Sequence, residues 1–167
     1  MNDLRPAPAI VVMGVAGCGK TAVGEALAGA LPAEFIEGDR LHPPENVARM
    51  ARGEPLTDTL REGWLDAIGE RVAASVADGR KVVAACSALK RAYRDRLRGF
   101  CPGIVFLYLK IDRETAWRRV AERKGHFMPA SLVDSQFSTL EEPEADERAL
   151  TVDGTRTIAE VMAQALA

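Results

Sequence analysis

A glycine-rich segment near the start of the chain, residues 14–21, constrains the fold more than any other feature. It reads Gly-Val-Ala-Gly-Cys-Gly-Lys-Thr and matches the phosphate-binding loop pattern G-x-x-x-x-G-K-[ST]. An apolar, β-branched run at 9–13 precedes it, and a helical pattern follows it from 21 to 31. Because strand, loop and helix stand in the order that the pattern requires, the segment predicts a phosphate site at the N-terminus of a helix.

Each residue type in this loop has a chemical reason to be there. Glycines let backbone N–H groups converge on a phosphate, and the N-terminus of the next helix adds partial positive charge. We expect Lys20 to reach the terminal phosphates of a nucleotide, and the Thr21 hydroxyl to bind Mg²⁺. The alternative is a glycine-rich structural turn. The predicted phosphate ligands are Gly14, Val15, Ala16, Gly17, Cys18, Gly19, Lys20 and Thr21.

Composition narrows the class of partner. The chain has 167 residues, 22 of them basic and 24 acidic, which argues against a nucleic-acid or anionic-membrane partner recognised through net charge and favours a small molecule. No apolar run is as long as a membrane span and the N-terminal residues lack the hydrophobic region of a signal peptide, so we expect a cytoplasmic protein. Cys18, Cys86 and Cys101 lack metal-ligand spacing, which favours structural thiols over disulfides or a zinc site.

Strand-like and helical segments alternate along the chain, which indicates an α/β fold with a parallel sheet in a single domain. The predicted strands are 9–13, 34–37, 81–86, 104–110 and 148–152. The predicted helices are about 20–31, 44–52, 60–78, 89–98, 112–123, 130–140 and 155–166. Pro44, Gly79 and Asp112 support individual helix ends. In such folds ligands bind at the carboxyl ends of the strands.

Two carboxylates follow the second predicted strand. Glu37 and Asp39 are two residues apart, so an extended chain directs both to one side, where they could face the phosphate loop. We assign Glu37 to hydrated Mg²⁺ and Asp39 to the attacking hydroxyl, which it would orient or deprotonate. The alternative is an acidic turn that caps the next helix. His42 is interpreted equally well as a substrate contact or as a surface or capping histidine.

Two cations follow the third strand. Lys90 and Arg94 stand one turn apart on a predicted helix that Ser87 is placed to start. If this face opens at the ligand edge, the pair would bind an anionic group such as a carboxylate. The alternative is an ordinary solvated helix surface.

A second basic pair lies near the end of a later helix. Arg119 and Arg123 are four residues apart and could close over the phosphates as part of a lid at about 123–131, which would stabilise the transferring group and exclude water. The alternative is a basic helix end that complements the helix dipole.

Together these motifs resemble the gluconate kinases, small P-loop kinases related to shikimate kinase. The resemblance covers residues 11–152, and the order and spacing of its motifs are specific although each motif alone is weak. The motifs are the loop at 14–21, Gly38-Asp39-x-Leu41-His42-Pro43, Gly53-Glu54-Pro55-Leu56-x-Asp58, Trp64-Leu65, Cys86-Ser87-Ala88-Leu89-Lys90, Tyr93-Arg94-Asp95, Arg123-Lys124-Gly125-His126-Phe127 and Gln136-Phe137-x-Thr139-Leu140-Glu141-x-Pro143.

The resemblance implies ATP-dependent phosphorylation of D-gluconate at its 6-hydroxyl, with Mg²⁺, in a homodimeric cytoplasmic enzyme. It also implies a P-loop NTPase fold with a five-stranded sheet in the order 2-3-1-4-5. We take Lys20, Asp39 and Arg123 as the candidate catalytic residues, and Asp39, His42, Lys90, Arg94 and His126 as the candidate substrate contacts.

Two positions depart from the family pattern. Leu60 stands where an acidic residue is usual, and Gly63 stands where proline is usual. Leucine can neither cap a helix nor hold a cation. The departure therefore affects the expected start of that helix, and the expected role of Arg61 as a site residue, more than it affects the expected reaction.

Two rival functions stay open. One is a kinase for another hydroxy acid or a nucleotide monophosphate. The other is a nucleotide-binding regulator that hydrolyses ATP slowly and binds a partner protein.

Overall fold

The chain builds a parallel sheet whose strands are joined by helices. The structure, a computed structural model, describes residues 3–123, 129 and 131–167. Within this part of the chain the strands are β1 (Ala9–Met13), β2 (Glu34–Glu37), β3 (Val82–Ala85), β4 (Val105–Lys110) and β5 (Ala149–Asp153). The α-helices are α1 (Lys20–Ala30), α2 (Pro44–Ala51), α3 (Asp58–Ala77), α4 (Arg91–Phe100), α5 (Arg113–Glu122), α6 (Leu132–Thr139) and α7 (Ile158–Ala165). Short 3₁₀ helices cover Gly38–Leu41 and Ala145–Glu147.

The strand order is β2-β3-β1-β4-β5 and all four pairings are parallel, which confirms the predicted fold class and order. Ile10 of β1 pairs with Val83 on one side and with Val105 on the other. Every residue of β1 is buried, as expected for a central strand that helices cover on both faces. The carboxyl ends of the strands therefore meet at one edge of the sheet.

The observed helix starts agree with the predicted ones where the sequence has a residue that favours a helix start. Pro44 is the first residue of α2, and Asp112 caps α5 by accepting a hydrogen bond from the Thr115 N–H at 2.6 Å. The prediction that Ser87 starts a helix was wrong. The helix begins at Arg91, and the carbonyl of Ser87 instead accepts a hydrogen bond from the N–H of Gly14 at 3.2 Å.

One glycine fixes how closely two strand ends approach. A Cβ atom on Gly38 would lie 2.3 Å from the carbonyl oxygen of Ala85, a distance at which the backbone would have to move. Glu37 and Ala85 are paired in register just before this point. The contact therefore holds the turn after β2 against the end of β3, and Asp39 follows in that turn.

The core lies on both sides of the sheet, and a small second cluster lies beside it. Met50, Leu56 and Leu132 form this cluster, and Leu60 packs against it. Leu60 thus makes an apolar contact where the resemblance led us to expect an acidic residue, while Thr57 caps α3 by accepting from the N–H of Leu60 at 3.2 Å. The leucine therefore leaves a well-formed helix start.

The three cysteines are buried thiols, as the interpretation of structural cysteines requires. Burial raises the pKa of the Cys86 thiol to about 12, so it is protonated at neutral pH. Among the described helices, none is both long enough and apolar enough to span a bilayer.

Candidate active site

A cavity of about 360 Å³ opens at the edge of the sheet where the strands end. The phosphate loop, the turn after β2, the start of α3 and one side chain of α6 contribute to its wall. The polar and charged side chains that line it are Lys20, Thr21, Glu37, Asp39, Arg40, His42, Arg61, Ser87, Arg123 and Gln136. The structure thus brings the phosphate loop together with Glu37, Asp39 and His42, as the sequence predicted.

The phosphate loop has the backbone that its glycines permit. Gly14 has a φ of 145°, and a Cβ atom there would lie 2.7 Å from Cys18 Sγ and 2.9 Å from the carbonyl oxygen of Leu109. The Lys20 ammonium donates to the carbonyl oxygens of Gly14 and Val15, each at 3.1 Å. Lys20 therefore lies against the loop whose N–H groups are candidates to bind phosphate.

Thr21 and Glu37 both line this cavity and contact each other. The Thr21 hydroxyl donates to Glu37 Oε2, and Glu37 Oε1 accepts from the N–H of Asp39 at 3.4 Å. Glu37 therefore caps the turn after β2, as the alternative interpretation expected, and its other oxygen contacts the phosphate loop. Among the described residues, no group of three or more His, Cys, Asp and Glu side chains is placed to hold a metal. A hydroxyl and a carboxylate fit Mg²⁺, which kinases bind through one or two protein oxygens together with phosphates.

Asp39 and His42 also line the cavity. The His42 ring stacks on Trp64 with its centroid 4.1 Å away and an interplanar angle of 13°, and the Trp64 indole donates to the carbonyl of Gly38 at 2.8 Å. Burial lowers the pKa of His42 to about 4, although the nearby Asp39 carboxylate acts in the opposite direction. The ring is therefore neutral at pH 7, so it is suited to hydrogen bonding with a hydroxyl and cannot pair as a cation with a carboxylate.

Arg61 supplies a cation in the cavity wall. Its guanidinium donates to the hydroxyl of Tyr93 at 2.8 Å and lies 5.4 Å from the centre of that ring. The Tyr93 hydroxyl in turn donates to Asp58, which also binds the Lys90 ammonium at 3.1 Å. Hydrogen bonds from Tyr93 and Lys90 lower the pKa of Asp58 below its usual range. Tyr93 thus binds Arg61 through one of its N–H groups. Lys90 binds the Asp58 carboxylate and does not line the cavity.

The interpretation of Arg94 as a substrate contact was wrong. Its side chain is fully buried and forms a bidentate ion pair with Glu147, at 2.7 and 3.1 Å, in addition to hydrogen bonds to the carbonyls of Ala88 and Leu89. Lys90 is the N-cap residue of α4, so it precedes the helix that it was expected to share with Arg94. Arg94 points into the protein because a buried acidic partner lies there.

The second basic pair, Arg119 and Arg123, lines two different spaces. α5 ends at Glu122, so Arg123 lies just beyond the helix, where it is exposed and lines the cavity. Arg119 donates to the carbonyl of Gly17 at 3.1 Å and lines a separate groove. Both arginines are near the phosphate loop, but the argument that they share one helix face fails. His126 and most of the expected lid at 123–131 lie outside the described residues.

A groove of about 180 Å³ also borders the phosphate loop, at Cys18 and Gly19. Gly19 lines both this groove and the larger cavity. Arg119, Gly154 and Arg156 surround it, and Ile158 contributes a side chain that is 46% exposed. A space lined by both apolar and guanidinium groups has the chemistry that an aromatic base requires.

Comparison with known proteins identifies the family. Residues 10–143 match the family described as AAA domain. The chain is 46% identical to the gluconokinase of Gluconobacter oxydans, over 88% of this chain and 83% of that protein. It is 43% identical to the thermoresistant gluconokinase of Escherichia coli, over 93% of this chain and 90% of that protein. The chain belongs to the gluconokinase family.

A solved structure agrees with this assignment. A crystal structure of a gluconokinase from Sinorhizobium meliloti superposes with a TM-score of 0.84 at 50% identity, and the match covers 95% of this chain and 89% of that one. As a member of the gluconokinase family, the chain is an enzyme of the P-loop kinase class, and the resemblance drawn from its motifs is confirmed.

Sequence reasoning missed four of the polar side chains that line the cavity, which are Arg40, Arg61, Ser87 and Gln136. Arg61 was set aside because Leu60 departs from the pattern of the gluconokinase family, although its position at the start of α3 places it at the ligand edge. Gln136 was noted only as part of a motif, yet its side chain contacts the backbone of Ala16 at 2.6 Å. Its spacing to the phosphate loop is 120 residues, so no local pattern could indicate this contact.

Proposed function

We propose that this enzyme transfers the γ-phosphoryl group of ATP to the 6-hydroxyl of D-gluconate. The observation that carries the proposal is that a phosphate loop, Asp39 and Arg61 line one cavity. Phosphate, hydroxyl and carboxylate are the three groups that this reaction must hold. The relatives named gluconokinases supply the identity of the sugar acid.

ATP would lie across the phosphate loop. The groove beside Ile158 and Arg119 takes the adenine, which would cover the exposed isoleucine. The loop N–H groups bind the β- and γ-phosphates, and Lys20 exchanges its carbonyl partners for phosphate oxygens. Because a phosphate oxygen carries charge, this exchange strengthens the hydrogen bonds of the ammonium.

Thr21 and Glu37 would hold Mg²⁺, Thr21 directly and Glu37 through water. Their mutual hydrogen bond places a hydroxyl and a carboxylate at the same point beside the phosphate loop. When bound, the ion neutralises charge on the phosphates.

Asp39 orients the 6-hydroxyl and accepts its proton. Its place in the 3₁₀ helix after β2 fixes it in the cavity wall, and it lies there with His42. The neutral His42 ring hydrogen-bonds to a substrate hydroxyl, and its stacking on Trp64 fixes the plane of the ring. Holding hydroxyl and phosphate together supplies much of the acceleration expected of such an enzyme.

Arg61 binds the carboxylate of gluconate. Tyr93 accepts one hydrogen bond from Arg61, so the guanidinium retains further N–H groups for a bidentate contact in the cavity. Lys90 affects this contact only indirectly. It binds the Asp58 carboxylate, which the Tyr93 hydroxyl also contacts, and Tyr93 holds Arg61. Arg123 lines the same cavity and would stabilise charge on the transferring phosphoryl group.

Several predictions from the sequence remain proposals. They are a contact of His126 with the substrate, a lid at 123–131, one domain across residues 1–167, a homodimer and a cytoplasmic location. Light scattering at several protein concentrations tests the homodimer directly.

The test of the proposed function is a coupled assay of ADP release with a panel of acceptors. The panel contains gluconate, other sugar acids, small hydroxy acids, nucleoside monophosphates and a blank. We expect gluconate to be preferred and the phosphorus to be coupled to the protons of C6 in the NMR spectrum of the product. If another acceptor is preferred, that acceptor replaces gluconate as the proposed substrate. Turnover that does not depend on any acceptor would favour a nucleotide-binding regulator.

A further inference from the structure

Gln136 on α6 makes a buried contact with the phosphate loop. Its Oε1 accepts a hydrogen bond from the N–H of Ala16 at 2.6 Å, and the side chain is only 8% exposed. Ala16 itself is 5% exposed, so its N–H has little access to water. A buried N–H group needs an acceptor, and here the acceptor comes from a helix near the other end of the chain.

The contact places α6 between parts of the site that lie far apart in sequence. Leu132, at the start of α6, packs with Met50 and Leu56, which also line the cavity. Asp134 accepts a hydrogen bond from the Trp117 indole of α5 at 3.1 Å. The position of α6 is therefore supported by apolar packing at Leu132 and by a hydrogen bond at Asp134, and Gln136 extends from this helix to the loop.

The chemistry of the side chain matters as well as its position. Because Ala16 offers a donor, the oxygen of the Gln136 amide must face the loop. A methionine has nearly the same length but is a weak acceptor. A glutamate would offer an oxygen at the same reach, but once ionised it would place negative charge in the wall of the phosphate cavity, where Gln136 lies.

We propose that Gln136 is a positioning residue that holds the phosphate loop in the conformation that binds ATP. It acts through the N–H of Ala16 and not on the reacting atoms. This inference rests on the proposed function as an ATP-dependent kinase, and it adds a residue outside the loop motif to the nucleotide site.

The first test is the Gln136→Met variant, with Ser138→Ala as the matched control because Ser138 is exposed on the same helix. Titration calorimetry with an ATP analogue and no gluconate measures nucleotide affinity, and thermal melting reports folding. We expect affinity for the analogue to fall by roughly 5- to 100-fold in Gln136→Met, from the cost of an unpaired buried N–H. The control should stay within about 2-fold. A folded Gln136→Met protein with unchanged affinity for the analogue and unchanged turnover would overturn the inference.

The second test separates positioning from simple stability and remains informative if Gln136→Met does not fold. The Gln136→Glu side chain keeps an oxygen that can accept from the Ala16 N–H, and it differs from the amide in charge only while it is ionised. Its affinity for the ATP analogue should therefore be close to that of the unchanged protein at pH 5.5, with any loss confined to higher pH. A loss of affinity that persists at pH 5.5 contradicts the proposal. If the unchanged protein itself binds no ATP analogue, the proposed function fails. If the unchanged protein and the Gln136→Met variant bind the analogue equally well, only the role of Gln136 is removed.

Discussion

At the scale of single residues, the site depends on charged groups whose partners in this structure must change when ligands bind. Lys20 is the clearest case, because two carbonyl oxygens of its own loop now accept its hydrogen bonds. Arg61 differs, because its contact with Tyr93 can persist while its other N–H groups take a ligand. Substitutions at these residues should therefore affect different ligands.

Lys20→Ala should lower turnover by roughly 100-fold or more, because it removes a donor aimed at charge that builds on the transferring phosphoryl group. Lys110→Ala is the control, since Lys110 is exposed and pairs with Glu142 away from the cavity. The measurement is the steady-state rate of ADP release, with circular dichroism to verify folding. Near-normal turnover in a folded Lys20→Ala protein is incompatible with the role of the phosphate loop.

Asp39→Asn keeps the size of the side chain but removes the charge that polarises the hydroxyl, so turnover should fall by about 100- to 10,000-fold. Nucleotide affinity should barely change, whereas Glu37→Gln should weaken binding of the Mg²⁺–ATP complex. Calorimetry on both variants distinguishes the two roles. If ATP affinity collapses in Asp39→Asn and survives in Glu37→Gln, the assignments of the two carboxylates must be exchanged.

Arg61→Ala should raise the Michaelis constant for gluconate by roughly 10- to 100-fold and leave that for ATP nearly unchanged, because the carboxylate loses a charge-assisted partner. Lys90→Ala should have a smaller effect, since Lys90 binds Asp58 and lies outside the cavity wall. Initial rates at varied gluconate measure both. A larger effect for Lys90→Ala than for Arg61→Ala would contradict this assignment and would support Lys90 as the residue that binds the carboxylate, as the sequence first suggested.

At the scale of elements, a buried ion-pair network joins α4 to the segment before β5. Arg94 pairs with Glu147, and Arg98 donates to the Glu147 carbonyl at 2.6 Å. Burial alone would raise the pKa of Glu147, but hydrogen bonds from Arg94, the Glu144 N–H and Arg98 outweigh it and lower this pKa to about 2. The network therefore belongs to the stability of the fold and not to substrate binding.

Arg94→Met should reduce the free energy of unfolding by about 3–5 kcal/mol, because it leaves Glu147 as a buried charge without its main partner. The pH dependence has a defined sign. A carboxylate whose pKa is depressed from 4.5 to about 2 contributes stability that is complete above about pH 5 and is lost as the pH falls towards 2.

Urea unfolding at pH 7 and at steps down to pH 2.5 measures both effects. The unchanged protein should lose stability over this acid range, and a Glu147→Gln variant should lose less of it. Identical acid profiles for the two proteins would show that Glu147 is not responsible. An Arg94→Met protein with full stability would contradict the structural role given to this pair.

The same elements show what sequence reasoning could reach. Alternating strand and helix patterns predicted a parallel sheet and the edge where ligands bind, whereas the strand order came from the resemblance to the gluconate kinases. Helical spacing placed Lys90 and Arg94 together, but it could not tell whether Arg94 faced solvent or the interior. That depended on Glu147, 53 residues away. Arg123 was assigned to a helix that ends one residue earlier, and a shift of one residue at a helix end moves a side chain to another surface.

At the scale of the whole molecule, the phosphate loop lies between two spaces of different character. The groove beside Ile158 is partly apolar, and the larger cavity is lined by carboxylates and guanidinium groups. Gly19 lines both spaces, so a nucleotide in the groove would direct its phosphates towards the cavity. The structure therefore predicts that the acceptor must carry both a hydroxyl near Asp39 and an anionic group near Arg61.

The most direct measurement is the initial rate of ADP release with gluconate, with glucose and with no acceptor, at saturating Mg²⁺–ATP. Glucose offers the hydroxyl but lacks the carboxylate, so it isolates the contribution of anion recognition. We predict that gluconate raises the rate by on the order of 100-fold or more over the blank, and that glucose at the same concentration gives roughly a tenth of the gluconate rate or less, as expected when a charge-assisted contact is missing. Equal rates with gluconate and glucose, or a rate that neither acceptor changes, would contradict the assignment of this cavity to a sugar-acid kinase.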